Sequence, residues 1–375
     1  DYCHAEALTK VGLLGIKVWI CRGEVLKMDT KRIHVNESYY KEEVFKLGKI
    51  LREGGLVAFP TETVYGLGGN ALDADAAKKI YAAKGRPSDN PLIVHVSGRD
   101  EVEKYVEHVG SIENKLMEKF WPGPLTIVFP KKDIIPKETS GGLDTVALRC
   151  PQNAATRALI KAAGVPLAGP SANISGRPSP TTADDVLHDM NGRISAVVDD
   201  GPCNIGLEST IIGVENGEIV VYRPGGITLE MLQEIGPARM DSNLIVDTGH
   251  PKAPGMKYRH YAPKAPLTVY TGDRDSAAAK ILEKVHEGDV SKIGFFVSEE
   301  TAKMLPEDAI CYIWGKREDK ESFAHNLFTG LLYFNEQPVE QIYGEGTDQA
   351  GIGRAIMNRL KKASGGHIVV EEKET

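Results

Sequence analysis

The sequence predicts an α/β protein of two domains, and three observations support that class. Short apolar runs typical of strands alternate with segments whose apolar residues recur at helical spacing. The chain has 375 residues, which is long enough for two domains. Residues 248–266 hold four prolines and two glycines, which is typical of a linker. We therefore expect a mixed sheet with helices over residues 28–247 and a smaller α/β domain over residues 267–375.

In the first domain, helices are predicted where apolar residues recur three or four positions apart between capping and stop residues. The first helix starts after Asn36 or Ser38 and ends at Gly54-Gly55, and Asp73 caps the second helix. The predicted helices cover residues 36–55, 73–83, 111–120 and 154–163. Short apolar runs predict strands at residues 56–59, 92–96, 125–129, 145–149, 167–168, 197–198, 209–214 and 219–222.

A long loop is predicted between the first two strands, and it is rich in hydroxyl groups and glycine. The residues that give it this character are Thr61, Thr63, Tyr65, Gly66, Gly68 and Gly69. Polar groups held between rigid elements are typical of loops that carry function. After the linker, a second alternation of strands and helices predicts a smaller βαβα domain. Its strands are predicted at residues 267–270, 293–297 and 309–313, and its helices at residues 275–285 and 321–335.

Composition disfavours several classes of protein. With 41% apolar and 26% charged residues, the chain is typical of a soluble globular protein, and its net charge of −7 disfavours non-specific nucleic-acid binding. No apolar run reaches about 18 residues and no signal-peptide pattern opens the chain, so we expect no membrane span. Five scattered cysteines without a CxxC spacing predict reduced thiols in a cytoplasmic protein.

Nucleotide-binding and metal-binding fingerprints are missing or misplaced. The sequence contains neither GxxxxGKS nor GxxxxGKT, and no HExxH motif, so we expect no metal ligand from the protein. Residues 66–71 match GxGxxA by letter, but several residues separate them from the preceding strand. That separation excludes the tight strand–turn–helix of a dinucleotide site.

A basic loop at the end of the second predicted helix is the first candidate for an anion site. Lys84 lies at the helix C-terminus, where a cation complements the helix dipole and bonds the last carbonyls. That explanation does not extend to Arg86, which lies beyond the helix-ending glycine and close to Ser88 and Asn90. A cationic loop with hydroxyl groups suits a phosphate. The residues of this loop alone favour anion binding and helix capping about equally.

Other candidate residues lie at or near strand ends. Arg149 and Arg223 each end a predicted strand, and in an open sheet such ends line the ligand cleft, although each side chain could instead be solvated. Glu208 opens a strand and could pair with a basic group or bind a ligand amine. His95 lies in an apolar strand, where a buried, hydrogen-bonded histidine is the commoner case.

The turn at residues 169–176, with sequence GPSANISG, also carries polar side chains. Ser171 and Asn173 are spaced so that both can face the same way and hold the polar edge of a ligand. Turn chemistry alone also accounts for these residue types and is the favoured explanation when the segment is taken by itself.

Seven motifs, taken in chain order, resemble the YrdC/Sua5 family. They are PTETVYGLGGNA (60–71), KGRPSDNPL (84–92), WPGPLT (121–126), ALRCP (147–151), GPSANISG (169–176), LESTII (207–212) and YRPGG (222–226). The pairs Lys84/Arg86 and Ser171/Asn173 match the KxR and SxN elements that are that family's signature. PGMKYRHYAP (254–263) and GIGRAIMNRLKKAS (351–364) resemble its long, two-domain type. The resemblance implies a YrdC-like twisted mixed sheet with helices, plus a smaller C-terminal Rossmann-like α/β domain.

The resemblance also implies a reaction. Family members are L-threonylcarbamoyladenylate synthases, nucleotidyltransferases that use L-threonine, bicarbonate or CO2, and ATP with Mg²⁺, and release pyrophosphate. Downstream tRNA threonylcarbamoyl-transferase proteins then modify adenosine 37 of ANN-decoding tRNAs, so contact with tRNA itself is at most indirect.

Site residues are implied in four groups by the motif match. Lys84 and Arg86 would be catalytic. The threonine site would consist of Thr63, His95, Arg149 and Ser209. The ATP site would consist of Arg86, Asn90, Thr145, Ser171, Asn173, Ser179 and Arg223. Within the linker, taken as residues 248–266, a lid over the site would consist of Tyr258, Arg259, His260 and Tyr261.

Two alternatives stay open beside the synthase. One is a carbamoyl-transfer relative, since the same fold occurs inside hydrogenase-maturation carbamoyltransferases, but those carry CxxC pairs that this chain lacks. The other is a non-enzymatic RNA-binding module, which the acidic chain and the lack of interleaved aromatic residues disfavour. Pyrophosphate release that needs threonine and bicarbonate together distinguishes the synthase from both.

Residues 1–27 share no motif with the rest of the chain. They resemble the C-terminal end of the bacterial small-subunit ribosomal protein that carries a KH domain. They precede Met28, which resembles a natural start, so we expect an appended or wrongly assigned segment without a function of its own.

Overall fold

The computed structural model describes residues 2–9, 12–19, 29–36, 38–242 and 260–372. Its strands form three separate sheets. Strands β1 (Tyr2–Thr9) and β2 (Gly12–Trp19) pair antiparallel as a hairpin that joins neither of the two larger sheets. No helix within the described ranges is long and apolar enough to cross a membrane.

The largest sheet belongs to residues 29–242, which we call the first unit. Its strands are β3 (Lys31–His34), β4 (Val57–Phe59), β5 (Gly66–Asn70), β6 (Ile93–His95), β7 (Leu125–Pro130), β8 (Thr145–Arg149), β9 (Leu167–Ala168), β10 (Ala196–Asp199), β11 (Thr210–Glu215), β12 (Glu218–Arg223) and β13 (Ala238–Met240). Its α-helices are α1 (Tyr39–Arg52), α2 (Ala74–Lys84), α3 (Ser111–Phe120), α4 (Lys137–Ser140), α5 (Ala154–Ala163), α6 (Ala183–Met190) and α7 (Leu229–Gln233).

The strand order of this sheet is β13-β12-β11-β7-β8-β6-β9-β5-β4-β10-β3. Parallel pairs such as β6/β8 alternate with antiparallel pairs such as β7/β8 and β4/β5, so the predicted mixed sheet is confirmed. Several elements have their predicted bounds, among them α3, α5 and β8. The cap of α2 is also as predicted, because the Asp73 side chain accepts from the Asp75 backbone N–H.

The predicted loop between the first two strands is only partly correct. Residues 66–70 form β5, which pairs antiparallel with both β4 and β9. A Cβ on Gly66 would lie 2.6 Å from the Phe59 ring, and one on Gly68 would lie 2.7 Å from the Val57 carbonyl oxygen. Glycine is therefore required by the close approach of β4 and does not indicate a turn.

The second unit, residues 260–372, holds a smaller sheet in which every pair is parallel. Its strands are β14 (Leu267–Gly272), β15 (Ile293–Val297), β16 (Ile310–Ile313), β17 (Gln341–Glu345) and β18 (Ile368–Glu371). Its α-helices are α8 (Arg274–Glu287), α9 (Glu299–Ala302), α10 (Lys320–Asn335) and α11 (Gly353–Ala363). The predicted alternation is confirmed, with the order β16-β15-β17-β14-β18, and it continues through β17, α11 and β18, which sequence analysis missed.

The two units share one hydrophobic core. Val64 and Leu207 of the first unit are buried in the same cluster as Phe323 and Phe328 of α10. Tyr261 joins this cluster, with its ring centroid 5.0 Å from that of Phe328. Burial of apolar surface between the units is therefore continuous with the core of the second unit.

Candidate active site

A pocket opens where the ends of β6, β8 and β12 meet the turns that follow β4 and β9 in the first unit, and His260 and Tyr261 of the second unit also line it. Its walls combine arginines, hydroxyl groups and one histidine with a few apolar contacts. The lining residues are Thr61, Thr63, Val64, Gly66, Arg86, Pro91, Ile93, His95, Arg149, Gly169, Pro170, Ser171, Glu208, Ser209, Arg223, His260 and Tyr261.

Strand register brings the charged residues to one edge of the sheet. His95 and Arg149 are the last residues of β6 and β8, and because those strands are parallel they are direct register partners. Arg223 ends β12, where its register partner on the antiparallel β11 is Ile211, and its side chain reaches Ser209, the residue just before β11 begins. Of the two possibilities left open for the strand-end arginines, a shared cleft or solvated side chains, the structure has both Arg149 and Arg223 in the lining of one pocket.

Arg149 is fixed by an ion pair that sequence analysis missed. Its Nη2 donates to Glu62 Oε1 at 2.6 Å and its Nη1 donates to the Thr63 hydroxyl at 2.9 Å. The other carboxylate oxygen of Glu62 accepts from the Gln152 backbone N–H at 3.0 Å. Both members of the pair are almost fully buried, so the Thr63 hydroxyl is held in one place at the pocket wall.

Arg223 is held against the opposite wall. Its Nε and Nη2 donate to the Ser209 carbonyl oxygen at 3.0 and 2.9 Å, and Nη2 also donates to the Ser209 hydroxyl at 3.1 Å. Burial lowers the pKa of Arg223 to about 10. The guanidinium therefore keeps its charge at neutral pH and presents it to the pocket.

Lys84 ends α2, as predicted, and Gly85 closes that helix in the left-handed region with φ +60°. The Lys84 ammonium donates to the carbonyl oxygens of Ser171 and Asn173, the second bond being 2.6 Å long. Complete burial, and next the charge of Arg86, lower the pKa of Lys84 well below its usual range. The ammonium thus braces the turn after β9 and is not part of the pocket lining.

Arg86 does line the pocket. Its Nη2 donates to the carbonyl oxygens of Asn90 and Pro91 at 3.3 and 3.1 Å, while its buried Nε has no hydrogen-bond partner among the described residues. Burial of the guanidinium lowers the pKa of Arg86 to about 10, which still leaves it charged at neutral pH. A charged donor without a protein partner in a pocket is suited to an anionic ligand.

His95 is buried and neutral. Burial, and next the positive charge of Arg149, lower the pKa of His95 to about 3. The ring lies edge-on to Phe59 at 5.2 Å, and its buried Nδ1 has no hydrogen-bond partner within the described part of the chain. The imidazole therefore offers the pocket a neutral hydrogen-bonding group and adds no charge.

Five of the predicted site residues lie outside the pocket lining: Lys84, Asn90, Thr145, Asn173 and Ser179. Thr145 begins β8, at a distance of about 13 Å along the strand from Arg149. The side-chain amide of Asn173 donates to two carbonyl groups of its own turn, so it does not face the pocket together with Ser171. Of the predicted lid, Tyr258 and Arg259 lie outside the described residues, whereas His260 and Tyr261 line the pocket.

Glu208 is a lining residue for which sequence analysis left two partners open, a basic group or a ligand amine, and the structure shows a basic partner. The partner is Arg359 of α11, whose Nε donates to Glu208 Oε2 at 2.9 Å from the second unit. Sequence analysis gave Arg359 no role. The available signal was its position on the apolar face of α11, three residues after Ile356 and four before Ala363, both of which are buried.

In the described ranges, no group of three or more His, Cys, Asp or Glu side chains is placed to hold a metal ion. The pocket instead combines guanidinium groups with hydroxyl groups and a neutral imidazole. This arrangement at the strand ends of a mixed α/β sheet defines an enzyme-type site for small anionic substrates.

Family models identify the protein class further. Residues 49–225 match the Sua5/YciO/YrdC model, described as telomere recombination, and residues 227–365 match the model described as the C-terminal domain of threonylcarbamoyl-AMP synthase. The chain therefore belongs to the Sua5/YrdC family, in its two-domain form.

Individual relatives agree over nearly the whole chain. Threonylcarbamoyl-AMP synthase of Bacillus subtilis is 43% identical over 348 residues, which are 91% of this chain and 100% of that protein. The protein of the same name from Pyrococcus abyssi is 43% identical, over 90% of this chain and 98% of that protein. The crystal structure of Pyrococcus abyssi Sua5 complexed with L-threonine superimposes with a TM-score of 0.85 at 42% identity and covers 91% of this chain and 100% of that chain.

Proposed function

We propose that this chain synthesises threonylcarbamoyl-AMP from L-threonine, bicarbonate or CO2, and ATP, with release of pyrophosphate. The observation that carries the proposal is a pocket in which three arginines, Arg86, Arg149 and Arg223, face hydroxyl groups and a neutral histidine. Membership of the family, at 43% identity to proteins named for this activity, supports the same conclusion.

The chemistry requires such a pocket. The threonine amine and CO2 form a carbamate, one oxygen of which attacks the α-phosphorus of ATP. The bond from that phosphorus to the bridging oxygen of the β-phosphate breaks, and pyrophosphate leaves with the electron pair. Because carbamate and triphosphate are both anions, cations must bring them together and stabilise the charge that develops on the phosphate oxygens.

The proposal divides the site residues between the two substrates. Thr63, His95, Arg149 and Ser209 bind threonine, since Glu62 already fixes Arg149 and a neutral imidazole discriminates by hydrogen bonding. Arg86, Ser171 and Arg223 bind the nucleotide from within the lining. Asn90, Thr145, Asn173 and Ser179 remain in the proposed ATP site as residues outside that lining.

Lys84 takes a different role from the one its motif implies. Its ammonium is already bonded to the carbonyl groups of Ser171 and Asn173. We therefore propose that Lys84 positions the turn that carries the Ser171 hydroxyl, and that Arg86 is the catalytic cation of the pair.

A lid of Tyr258, Arg259, His260 and Tyr261 is part of the proposal, within a linker at 248–266 between domains at 28–247 and 267–375. The support is that His260 and Tyr261 line the pocket. Aromatic and cationic groups there would exclude water from a labile adenylate.

Replacing residues 255–262 with a Gly/Ser stretch of equal length should lower adenylate yield while both units stay folded, and ATP with threonine should protect the native segment from limited proteolysis. Unchanged yield together with unchanged cleavage would reduce the segment to a tether.

Magnesium is proposed as a companion of ATP. The carboxylate of the lining, Glu208, is already engaged by Arg359 and by the Ser179 hydroxyl at 2.7 Å, so the donor set does not suit a protein-held cation. Phosphate oxygens and water fit that role better. A cytoplasmic location, and transfer of the product to tRNA by separate proteins, complete the proposal.

The test is an assay of pyrophosphate release with the full-length chain. Release should require ATP, threonine and bicarbonate together, and mass spectrometry of the product should show threonylcarbamoyl-AMP. Omitting one component at a time provides the controls. Release that continues without threonine or without bicarbonate would contradict the synthase.

Amino-acid selectivity sharpens the same test. A site that hydrogen-bonds the threonine hydroxyl and packs its methyl group should prefer threonine to both serine and valine. Valine should suffer more, because it leaves buried polar partners unpaired. Equal kcat/KM for valine and threonine would exclude a pocket that recognises the hydroxyl group.

A further inference from the structure

A buried side chain of the second unit contacts a residue of the pocket lining. Arg359 of α11 is 0% exposed and lies outside the lining, but it bonds Glu208, which lines the pocket, and Pro224, which does not. Its Nε donates to Glu208 Oε2 at 2.9 Å, and its Nη1 donates to the Pro224 carbonyl oxygen at 2.7 Å. Glu208 directly precedes Ser209, and Pro224 directly follows Arg223, so Arg359 bonds the sequence neighbours of two proposed ligand-binding residues, one through a side chain and one through a backbone carbonyl group.

The contact between Arg359 and Glu208 determines which cation pairs with the carboxylate in the pocket lining. Glu208 is a buried carboxylate in the pocket lining, and Ser179 donates to its other oxygen at 2.7 Å. Burial would raise the pKa of Glu208, but the guanidinium groups of Arg359 and Arg223 outweigh that effect and lower the pKa to about 2. A buried carboxylate of this kind needs a cation, and in the described part of the chain the other guanidinium that lowers its pKa is that of Arg223.

We propose that Arg359 is a positioning residue that occupies Glu208 and thereby leaves Arg223 free for the phosphates of the nucleotide. This inference rests on the proposed function for the identity of the ligand. It assigns the second unit a part in nucleotide binding, because one of its side chains sets the charge balance of the pocket.

A purely structural role for Arg359 makes different predictions, and the same helix offers a matched control. Arg354 of α11 also reaches the first unit, where its Nη2 lies 3.2 Å from Glu230 Oε1. That pair is partly exposed, and neither residue lines the pocket. Removing Arg354 therefore loses an ionic contact between the units without altering the charge beside Arg223.

Steady-state kinetics with Arg359→Met, Arg354→Met and the double variant Arg359→Met/Glu208→Gln test the proposal. Arg359→Met should raise the KM for ATP at least tenfold with a smaller change in kcat, because Glu208 then recruits Arg223. Arg354→Met should keep the wild-type KM. The double variant should recover most of the lost affinity, since the amide that replaces the Glu208 carboxylate no longer attracts Arg223. An unchanged KM in Arg359→Met, or no recovery in the double variant, would overturn the proposal.

The pH dependence provides a signature that a structural role would not produce. Among the described residues, the charged or titratable groups that act on Glu208 are Arg359, Arg223, Tyr261 and Lys84. Without Arg359, the pKa of Glu208 should rise from its value in the intact protein, because the larger of the two cationic effects that oppose burial is lost. Acid pH should therefore protonate the carboxylate more readily than in the wild type and release Arg223. The ratio of the ATP KM of Arg359→Met to that of the wild type should therefore fall towards acid pH, and a constant ratio would contradict the mechanism.

Two measurements separate this inference from the proposed function and from misfolding. Wild-type turnover with all three substrates is measured first; if it fails, the dissociation constant for ATP from calorimetry replaces KM in every comparison. If Arg359→Met does not fold, Arg359→Lys replaces it, because it keeps a cation beside Glu208 but loses the planar fork. That variant should raise the KM for ATP about threefold, and a loss confined to kcat would overturn the proposal.

Discussion

Arginines close to strand ends occur in both units, but they are used differently. In the first unit, Arg86 keeps a buried Nε without a protein partner and faces the pocket together with Arg149 and Arg223. In the second unit, Arg317 follows β16, and all of its donor nitrogens are engaged. They reach Glu345 at 3.1 Å, Ser298 at 3.3 Å, Thr301 at 2.9 Å and Asp275 at 3.0 Å.

The difference shows what separates a binding site from an internal brace. Both sheets bring charged side chains to their strand ends, where ligands of open sheets bind. The second unit also supplies carboxylates and hydroxyl groups that accept hydrogen bonds from every donor nitrogen of Arg317. In the first unit, the buried Nε of Arg86 has no hydrogen-bond partner among the described residues, and this arginine lines the pocket.

The largest expected effect on catalysis comes from Arg86→Ala. Loss of a charge-assisted contact to the phosphates should cost about 2–4 kcal/mol of transition-state stabilisation, or roughly 30- to 1,000-fold in pyrophosphate release. Its melting temperature should change little, since Arg86 bonds only two carbonyl groups. Arg99→Ala, which removes a surface bond to Asn114, is the control and should leave both quantities unchanged. Wild-type release by Arg86→Ala would remove this residue from the mechanism.

Arg317→Met should give the opposite pattern. Glu345 is buried and would lose its cation, so we expect a loss of about 3 kcal/mol in the free energy of unfolding. Turnover per folded molecule should stay near that of the wild type. Urea unfolding followed by fluorescence measures the first quantity, and the double variant Arg317→Met/Glu345→Gln should recover part of it. A variant that stayed stable but lost turnover would show that the second unit holds a site of its own.

His95 of the first unit should make the free energy of unfolding depend on pH. Its folded pKa of about 3 lies below the unfolded value of about 6.5, so below pH 6.5 the unfolded state binds a proton that the folded state excludes. The free energy of unfolding should therefore fall as the pH drops below 6.5, by up to about 1.4 kcal/mol per pH unit from this residue. His95→Gln should flatten that slope in urea unfolding at pH 5 and pH 7. The same substitution at the exposed His286 should leave the slope in place, and identical slopes in all three proteins would contradict the assignment.

The smallest effect is expected from deleting residues 1–27. The hairpin of β1 and β2 joins neither large sheet, and both units are complete without it. Melting temperature and turnover should match those of the full chain. A drop of several degrees would show that this segment packs on one of the units.

Sequence analysis predicted the strand-end arginines well because hydrophobic runs fix where a strand ends. The same logic gave α3, α5 and β8 their correct bounds. It failed at β5, where glycines imposed by the ring of Phe59 have the composition of a loop. It also missed α6, although Thr182 and Asp185 form a capping box there.

Within the site, the missed features are those that depend on distant segments. The Glu62–Arg149 pair joins residues 87 positions apart, and Arg359 is 151 positions from Glu208. No local pattern specifies either distance. The position of Lys84 at a helix end was predicted correctly, but only the fold shows that its ammonium bonds carbonyl groups of a neighbouring turn.

Gly206 lies where the first unit contacts α10 of the second unit, so the residue type at this position depends on the presence of the second unit. The φ of Gly206 is +79°, and a Cβ there would lie 2.5 Å from the His325 carbonyl oxygen, so backbone conformation and packing both require glycine. In a relative without the second unit, the positive φ would still favour glycine, but the packing against His325 would no longer require it. Asparagine, which tolerates the left-handed region, would then become acceptable, and the exposed counterparts of Val64 and Leu207 would tend towards polar residues. The residue types at Gly206, Val64 and Leu207 should therefore differ between relatives with the second unit and relatives without it.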